Sequence, residues 1–210
     1  MSAPVLEEPG RREEILGAAR TIFAHYGFRR ASLEEIAREA GISRTALYHH
    51  FRNKEDIFRA MCDGIYVRAT EKAEEAAATQ QPVDAKLLAV LEAQVGWIFR
   101  QLASSRHGLE IVDESNRLCA DITGAWSRRS VKLLTRVLQT AQDEGGLDAS
   151  VSGNTPESAA GFLLLCAHGL QGPSPANAPS TAQYGRRLAG LVRLSVAGLG
   201  GKVTTITKER

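Results

Sequence analysis

Apolar residues return every three or four positions along nearly the whole chain. In "REEILGAARTIFAHYGF" the residues Ile15, Ala18, Ala19, Ile22, Phe23 and Tyr26 keep that rhythm, the spacing of one face of an α-helix. Gly27 ends the run. Ser32 and Glu35 of "SLEEIAREAG" make an S-x-x-E capping box that opens a second, short helix, and Gly41 closes it. Ser43 caps a third helix carrying "RTALYHHF". Asn53 caps a long fourth that begins "KEDIFRAMCDGIY" and is limited by Pro82. Five more helices are expected, roughly over 84–103, 106–118, 121–144, 156–171 and 181–198. The breaks between them are "SSRHG", "LCAD", "EGGLDASVSGNTP" and "GPSPANAPST". No β-hairpin signal and no internal repeat interrupts the pattern. The expectation is an all-α protein of about nine helices. Residues 1–53 form an N-terminal three-helix, helix-turn-helix domain, 54–200 a C-terminal helical domain, and 201–210 a flexible tail.

Composition narrows the class. A chain of 210 residues with 43% hydrophobic content can build a sizeable core. Its three cysteines, Cys62, Cys119 and Cys166, are odd in number and form no CxxC pair, which reads as reduced thiols of a cytoplasmic protein. The opening "MSAPVLEEPGRREEIL" lacks the apolar core of a signal peptide. The run "FLLLCA" at 162–167 is far too short to span a bilayer, so no membrane partner is expected.

Net charge is only +2, but it is unevenly placed. Residues 9–54 carry nine Lys/Arg against five Asp/Glu, while residues 55–210 carry seventeen of each. No acidic residue interrupts the stretch from Arg44 to Lys54. A local basic face is what a polyanion needs. Two short helices joined through Gly41 make a helix-turn-helix. Ile36, Ala37, Ala40, Ile42, Leu47 and Phe51 supply its inner face, leaving Arg44, Thr45, Ala46, Tyr48, His49 and His50 nearer the outside of the second helix. Such a helix fits the major groove, with its first residues at base edges. Arg44 suits guanine O6 and N7, Ala46 a thymine methyl, and Tyr48 the backbone. Lys54, at the head of the next helix, suits a phosphate.

The segment "EEILGAARTIFAHYGFRRASLEEIAREAGISRTALYHHFRNKEDIF", residues 13–58, resembles the DNA-binding domain of TetR-type transcriptional regulators. "GISRTALYHHFRNKEDIF" is its most specific part. The resemblance implies that Ser32, Tyr48 and Lys54 meet the DNA backbone and that Arg44, Thr45, Ala46 and His49 read bases. Ser32 replaces a commoner threonine, and Ala46 stands where glycine or a polar residue is frequent. The resemblance further implies a homodimer on a palindromic double-stranded operator and a C-terminal domain that binds a small-molecule effector.

The rest of the chain carries its own signals. Small residues in "ESAAGFLLLCAHGL" permit close helix approach. In "YGRRLAGLVRLSVAGL", Tyr184, Leu188, Leu191, Leu194 and Gly198 fall near one face. Two such helices from each of two chains would make a four-helix interface. A pocket among the helices of 84–144 would use Trp97, Trp126, Asn116 and Cys119, with Phe99, Ile111 and Ile122 as apolar neighbours; this lining favours an apolar or amphipathic ligand. His107, Glu110 and Asp113 do not share one helix face closely enough for a metal, and His49 and His50, as neighbours, diverge by about 100°. No metal and no other cofactor is therefore expected. No HExxH, GxSxG, Walker or GxGxxG pattern occurs, so no catalytic residue is assigned. The expected function is a ligand-responsive repressor. The alternatives are an all-α cytosolic enzyme that holds an anionic substrate on its basic hairpin, and a DNA-binding protein without sequence preference.

Overall fold

A computed structural model describes residues 10–103, 105–172 and 178–203. Residues 204–210 of the expected tail lie outside the described residues. All regular structure among the described residues is helical. The elements are α1 (Arg11–Tyr26), α2 (Leu33–Glu39), α3 (Arg44–His50), α4 (Lys54–Ala77), α5 (Val83–Leu91), α6 (Trp97–Ala103), α7 (Gly108–Leu118), α8 (Ala120–Asp143), α9 (Pro156–Gly169) and α10 (Thr181–Gly198). A π-helical turn, Glu92–Gly96, joins α5 to α6 without a break, and a 3-10 turn, Ala149–Ser152, stands in the segment expected to be a loop.

The local signals work as their chemistry requires. α1 buries Ile15, Leu16, Ala18, Ala19, Ile22 and Phe23 and stops at Gly27, whose φ of 80° is one that other residues rarely adopt. Ser32 accepts the Glu35 N–H while the Glu35 carboxylate accepts the Ser32 N–H, completing the capping box. Gly41 turns the chain at φ 67°. The Ser43 hydroxyl then accepts the Ala46 N–H to open α3. The Asn53 side chain does the same for the Asp56 N–H at the head of α4, at 2.7 Å.

By packing, the chain divides into two compact units. The first is residues 1–65 with 104–122, and the second is 66–103 with 123–210. The division thus falls elsewhere than the expected boundary after residue 53: the first part of α4 and all of α7 belong with the helix-turn-helix. The first unit closes around Phe23, Phe28 and Phe58, whose rings meet edge-on or tilted at 4.9–5.8 Å. Ile36, Leu47, Phe51 and Ile57 are buried with them. The second unit has its own core, in which Leu87, Leu91, Leu134, Leu138, Leu163 and Leu188 are almost wholly hidden. There the Tyr184 ring stacks on Phe99 at 4.6 Å, and its hydroxyl donates to the Ala167 carbonyl. No helix among the described residues is long and apolar enough to cross a membrane.

Candidate nucleic-acid interface

α3 is seven residues long and buries only Leu47. Its other side chains point away from the first unit's core. Arg44, Thr45, Tyr48 and His49 are exposed, and Ala46 and His50 are half-buried. The Arg44 guanidinium lies 5.6 Å from the centre of the Tyr48 ring and donates to the Tyr48 hydroxyl at 3.1 Å. This i,i+4 pairing holds a cation and a flat ring together on the outer face. Nothing acidic lies in the first turn of α3. The face is therefore a short, protruding, basic and aromatic surface on a rigid three-helix base, the form that enters a major groove.

Two residues expected at the DNA backbone are engaged within the protein. The Lys54 ammonium donates to the carbonyl oxygens of Phe28, Arg29 and Ala31 at 2.7, 3.2 and 2.9 Å and lies 4.6 Å from the centre of the Phe28 ring. Three donors meet three acceptors, so this cation fastens α4 to the α1–α2 corner. The Ser32 hydroxyl accepts from the Glu35 N–H and donates to the Glu35 carboxylate at 2.8 Å. Those hydrogen bonds hold the Glu35 carboxyl below its ordinary pKa. Ser32 is exposed, but its proton is already committed to a carboxylate.

The base of the interface is strengthened by α7, a partnership that no local pattern announced. The Glu110 carboxylate accepts the Arg29 N–H at 2.6 Å. Glu114 is 4% exposed and accepts from both Arg29 and Arg117. Burial works against ionisation of Glu114, but the two guanidinium groups hold its pKa below the usual range. His107 is 3.7 Å from Glu110, and among the described residues no cluster of side chains suited to a metal is found.

The four side chains expected to line a pocket do not fall in one unit. Asn116 is exposed on α7, and Cys119 is buried at the end of that helix, both in the first unit. Trp97, half-buried, and Trp126, buried, belong to the second. Trp126 sits between two rings, Tyr66 at 4.9 Å and His168 at 5.7 Å. Its indole N–H has no hydrogen-bond partner, nor do the Gln94 amide oxygen and the Ser130 hydroxyl, all of them buried in the same unit. His168 bonds through Nδ1 to the Leu164 carbonyl. A carbonyl only accepts, so Nδ1 carries the proton and Nε2 keeps a lone pair. Burial holds the ring's pKa below its ordinary value. Gln94, Ser130, Tyr66 and His168 were missed in the sequence. A half-apolar residue in a helical pattern looks the same whether or not its polar atom finds a partner.

The geometry of residues 11–58 is that of a helix-turn-helix reading head, and residues 15–61 match the family of bacterial regulatory proteins named tetR. Residues 15–61 thus carry a DNA-binding segment of the TetR type. A helix-turn-helix transcriptional repressor of Mycobacterium tuberculosis is 30% identical over 125 residues, covering 59% of this chain and 60% of that protein. The repressor KstR2 of Rhodococcus jostii is 41% identical over 66 residues, 30% of this chain and 32% of the relative. The chain thus spans about three fifths or less of the length of these curated relatives. The solved structure of SmeT, the repressor of a multidrug efflux pump in Stenotrophomonas maltophilia, superposes with a TM-score of 0.64. That match covers 89% of this chain and 88% of SmeT at 24% identity, a likeness of fold.

Proposed function

We propose that this chain is a ligand-responsive transcriptional repressor that binds a palindromic operator as a homodimer in the cytoplasm. The observation that carries the reading is the outward face of α3, where Arg44, Thr45, Tyr48 and His49 stand exposed beyond a glycine turn with no acidic neighbour in the first turn. Regulators, not enzymes, stand among the relatives that share this segment, which supports DNA over a metabolic substrate as the partner. Arg44 reads a base, Tyr48 packs along the sugar-phosphate chain, and Ser32 and Lys54 act one step back, by capping α2 and by fixing α4. The test is a gel-shift against the DNA flanking the chain's own gene, with scrambled DNA as the control. Binding to both with equal affinity would favour a protein without sequence preference, and binding to neither would remove the reading.

The effector site we assign to the second unit, around Trp126. An indole N–H without a partner, flanked by two rings, suits a flat amphipathic molecule that brings its own acceptor. The Nε2 lone pair of His168, whose ring lies 5.7 Å from the indole, offers a further polar anchor. Repression is lifted if the effector binds better to the state that holds the reading heads away from operator spacing, since a ligand shifts an equilibrium only by its differential affinity. Dimerisation we assign to α9 and α10, which expose Phe162, Leu165 and Leu194 at 61%, 70% and 76%.

A further inference from the structure

A helix that reads bases also needs phosphate contacts to fix its register on the duplex. The two residues expected to supply them, Ser32 and Lys54, commit their donors within the protein. Other cations of the first unit are taken as well: Arg29 is held by Glu114, and Arg11 pairs with Glu14 at 2.6 Å. Arg12 is not. Its side chain is exposed in the first turn of α1, and among the described residues it has neither an ion pair nor a hydrogen bond. A ring holds it instead. The guanidinium lies over Phe51, 4.9 Å from the ring centre. Phe51 is 3% exposed and is the residue at which α3 ends. A contact of this kind uses the charge of a guanidinium and leaves its N–H donors uncommitted. A second helix thus sets a free, positively charged fork at the exit of α3.

We propose that Arg12 is a further DNA-contact residue, which bonds a backbone phosphate at the rim of the groove that α3 enters. The inference rests on the DNA-binding reading above. α3 has seven residues and is about 10 Å long. The major groove is about 12 Å wide. When the first turn of α3 meets base edges, its far end comes out near the phosphates that border the groove, and Arg12 stands at that end. An arginine fork meets a phosphate through two parallel N–H···O bonds. The Phe51 ring holds the guanidinium in place beforehand, so less side-chain freedom is lost on binding. The contact fixes register and carries no sequence preference of its own. An arginine that passed the rim into a minor groove would behave differently, favouring narrow A·T tracts.

The experiment titrates the full chain and its variants on the DNA flanking its own gene and on a scrambled duplex, between about 50 and 200 mM salt. Arg12→Ala should weaken binding to both duplexes by the same factor. Its log–log salt slope should be shallower by about 0.9 for each chain bound. Arg12→Lys keeps a point charge and should restore most of the slope. Arg20→Ala removes another exposed cation of α1, about 12 Å further along the helix, and should leave the slope as in the native chain. Circular dichroism checks that each variant is folded; if Arg12→Ala is not, Arg12→Gln, which keeps the stem without the charge, takes its place. An unchanged slope for the uncharged Arg12 variant, or an equal fall for Arg20→Ala, would overturn the contact. So would a loss confined to one of the two duplexes, which would place the guanidinium against bases. A native chain that binds neither duplex would overturn the DNA-binding reading and this inference with it, whereas the variants overturn the inference alone.

Discussion

Three carbonyl oxygens at the α1–α2 corner, those of Phe28, Arg29 and Ala31, share one ammonium group. Without it they would face one another with their dipoles unopposed. Lys54→Ala removes three charge-assisted hydrogen bonds, and hydrogen bonds to a charged group are worth about 1.5–3 kcal/mol. For this half-buried lysine we expect a loss of about 2 kcal/mol, read as a lower denaturation midpoint, while the salt dependence of DNA binding stays as it was. A salt slope reduced by about one unit with unchanged stability would show that the lysine meets a phosphate after all. Arg44→Ala should do the opposite. Its side chain is exposed and, among the described residues, bonds Tyr48 on its own helix, so folding should hardly change. Its loss should cost about 1–3 kcal/mol on operator and little on scrambled DNA. The chain places both cations in one basic stretch. Only the fold separates them, because Lys54 finds its partners 23–26 residues earlier, beyond the reach of any local pattern.

Helices with chemical punctuation were legible in the chain. Ser32 with Glu35, Ser43, Asn53 and the two turning glycines, Gly27 and Gly41, each act within four residues, and the structure shows each of those contacts. The partners of α7 were not legible, since Glu110 and Arg29 are 81 positions apart and helical rhythm says only that α7 has an inner face. The π-helical turn at Glu92–Gly96 was equally hidden, because an extra residue in a turn leaves the apolar rhythm nearly intact. The joint at the end of α7 makes a prediction for pH. The Arg59 guanidinium holds the Asp121 carboxyl down to about 2, below the ordinary value near 4. A carboxylate with a depressed folded pKa stabilises the fold above its unfolded pKa, and that stabilisation is lost as pH falls through the folded one. The denaturation midpoint of the native chain should therefore exceed that of Asp121→Asn at pH 7, and the gap should shrink between about pH 4 and 2. A gap that persists unchanged to pH 2 would mean that the carboxylate's charge is not what stabilises this joint. The Trp126 cluster makes another. An effector that sits against the indole should change tryptophan emission, and Trp126→Ala should weaken its binding about tenfold or more while leaving operator binding intact. Equal affinity for both proteins would move the site elsewhere.

For the whole molecule the deciding feature is which apolar side chains remain uncovered. The chain's pattern put Tyr184, Leu188, Leu191, Leu194 and Gly198 on one face of α10 as a pairing surface, but Tyr184 and Leu188 are fully buried in the second unit's own core. Leu194 stands in the open, as do Phe162 and Leu165 of α9, while Leu191 is half-buried. A groove lined by Ala159, Phe162, Leu163, Ser195, Gly198 and Leu199 lies between these two helices. Periodicity cannot make this distinction, because a helix that packs on two sides has apolar residues on both. Large apolar side chains exposed together on adjoining helices mark an association surface, and a palindromic site calls for two heads related by a twofold axis. The prediction separates the two classes of residue. Leu194→Glu places a charge where only a partner would bury it, so the chain should keep its helical circular dichroism and sediment as a monomer. Dimerisation should weaken by roughly 2 kcal/mol or more, some thirtyfold, and operator affinity should fall with it. Leu188→Glu places the same charge inside the unit's own core and should unfold it, whatever the oligomeric state. A folded Leu194→Glu chain that still sediments as a dimer at micromolar concentration would move the pairing surface away from α9 and α10.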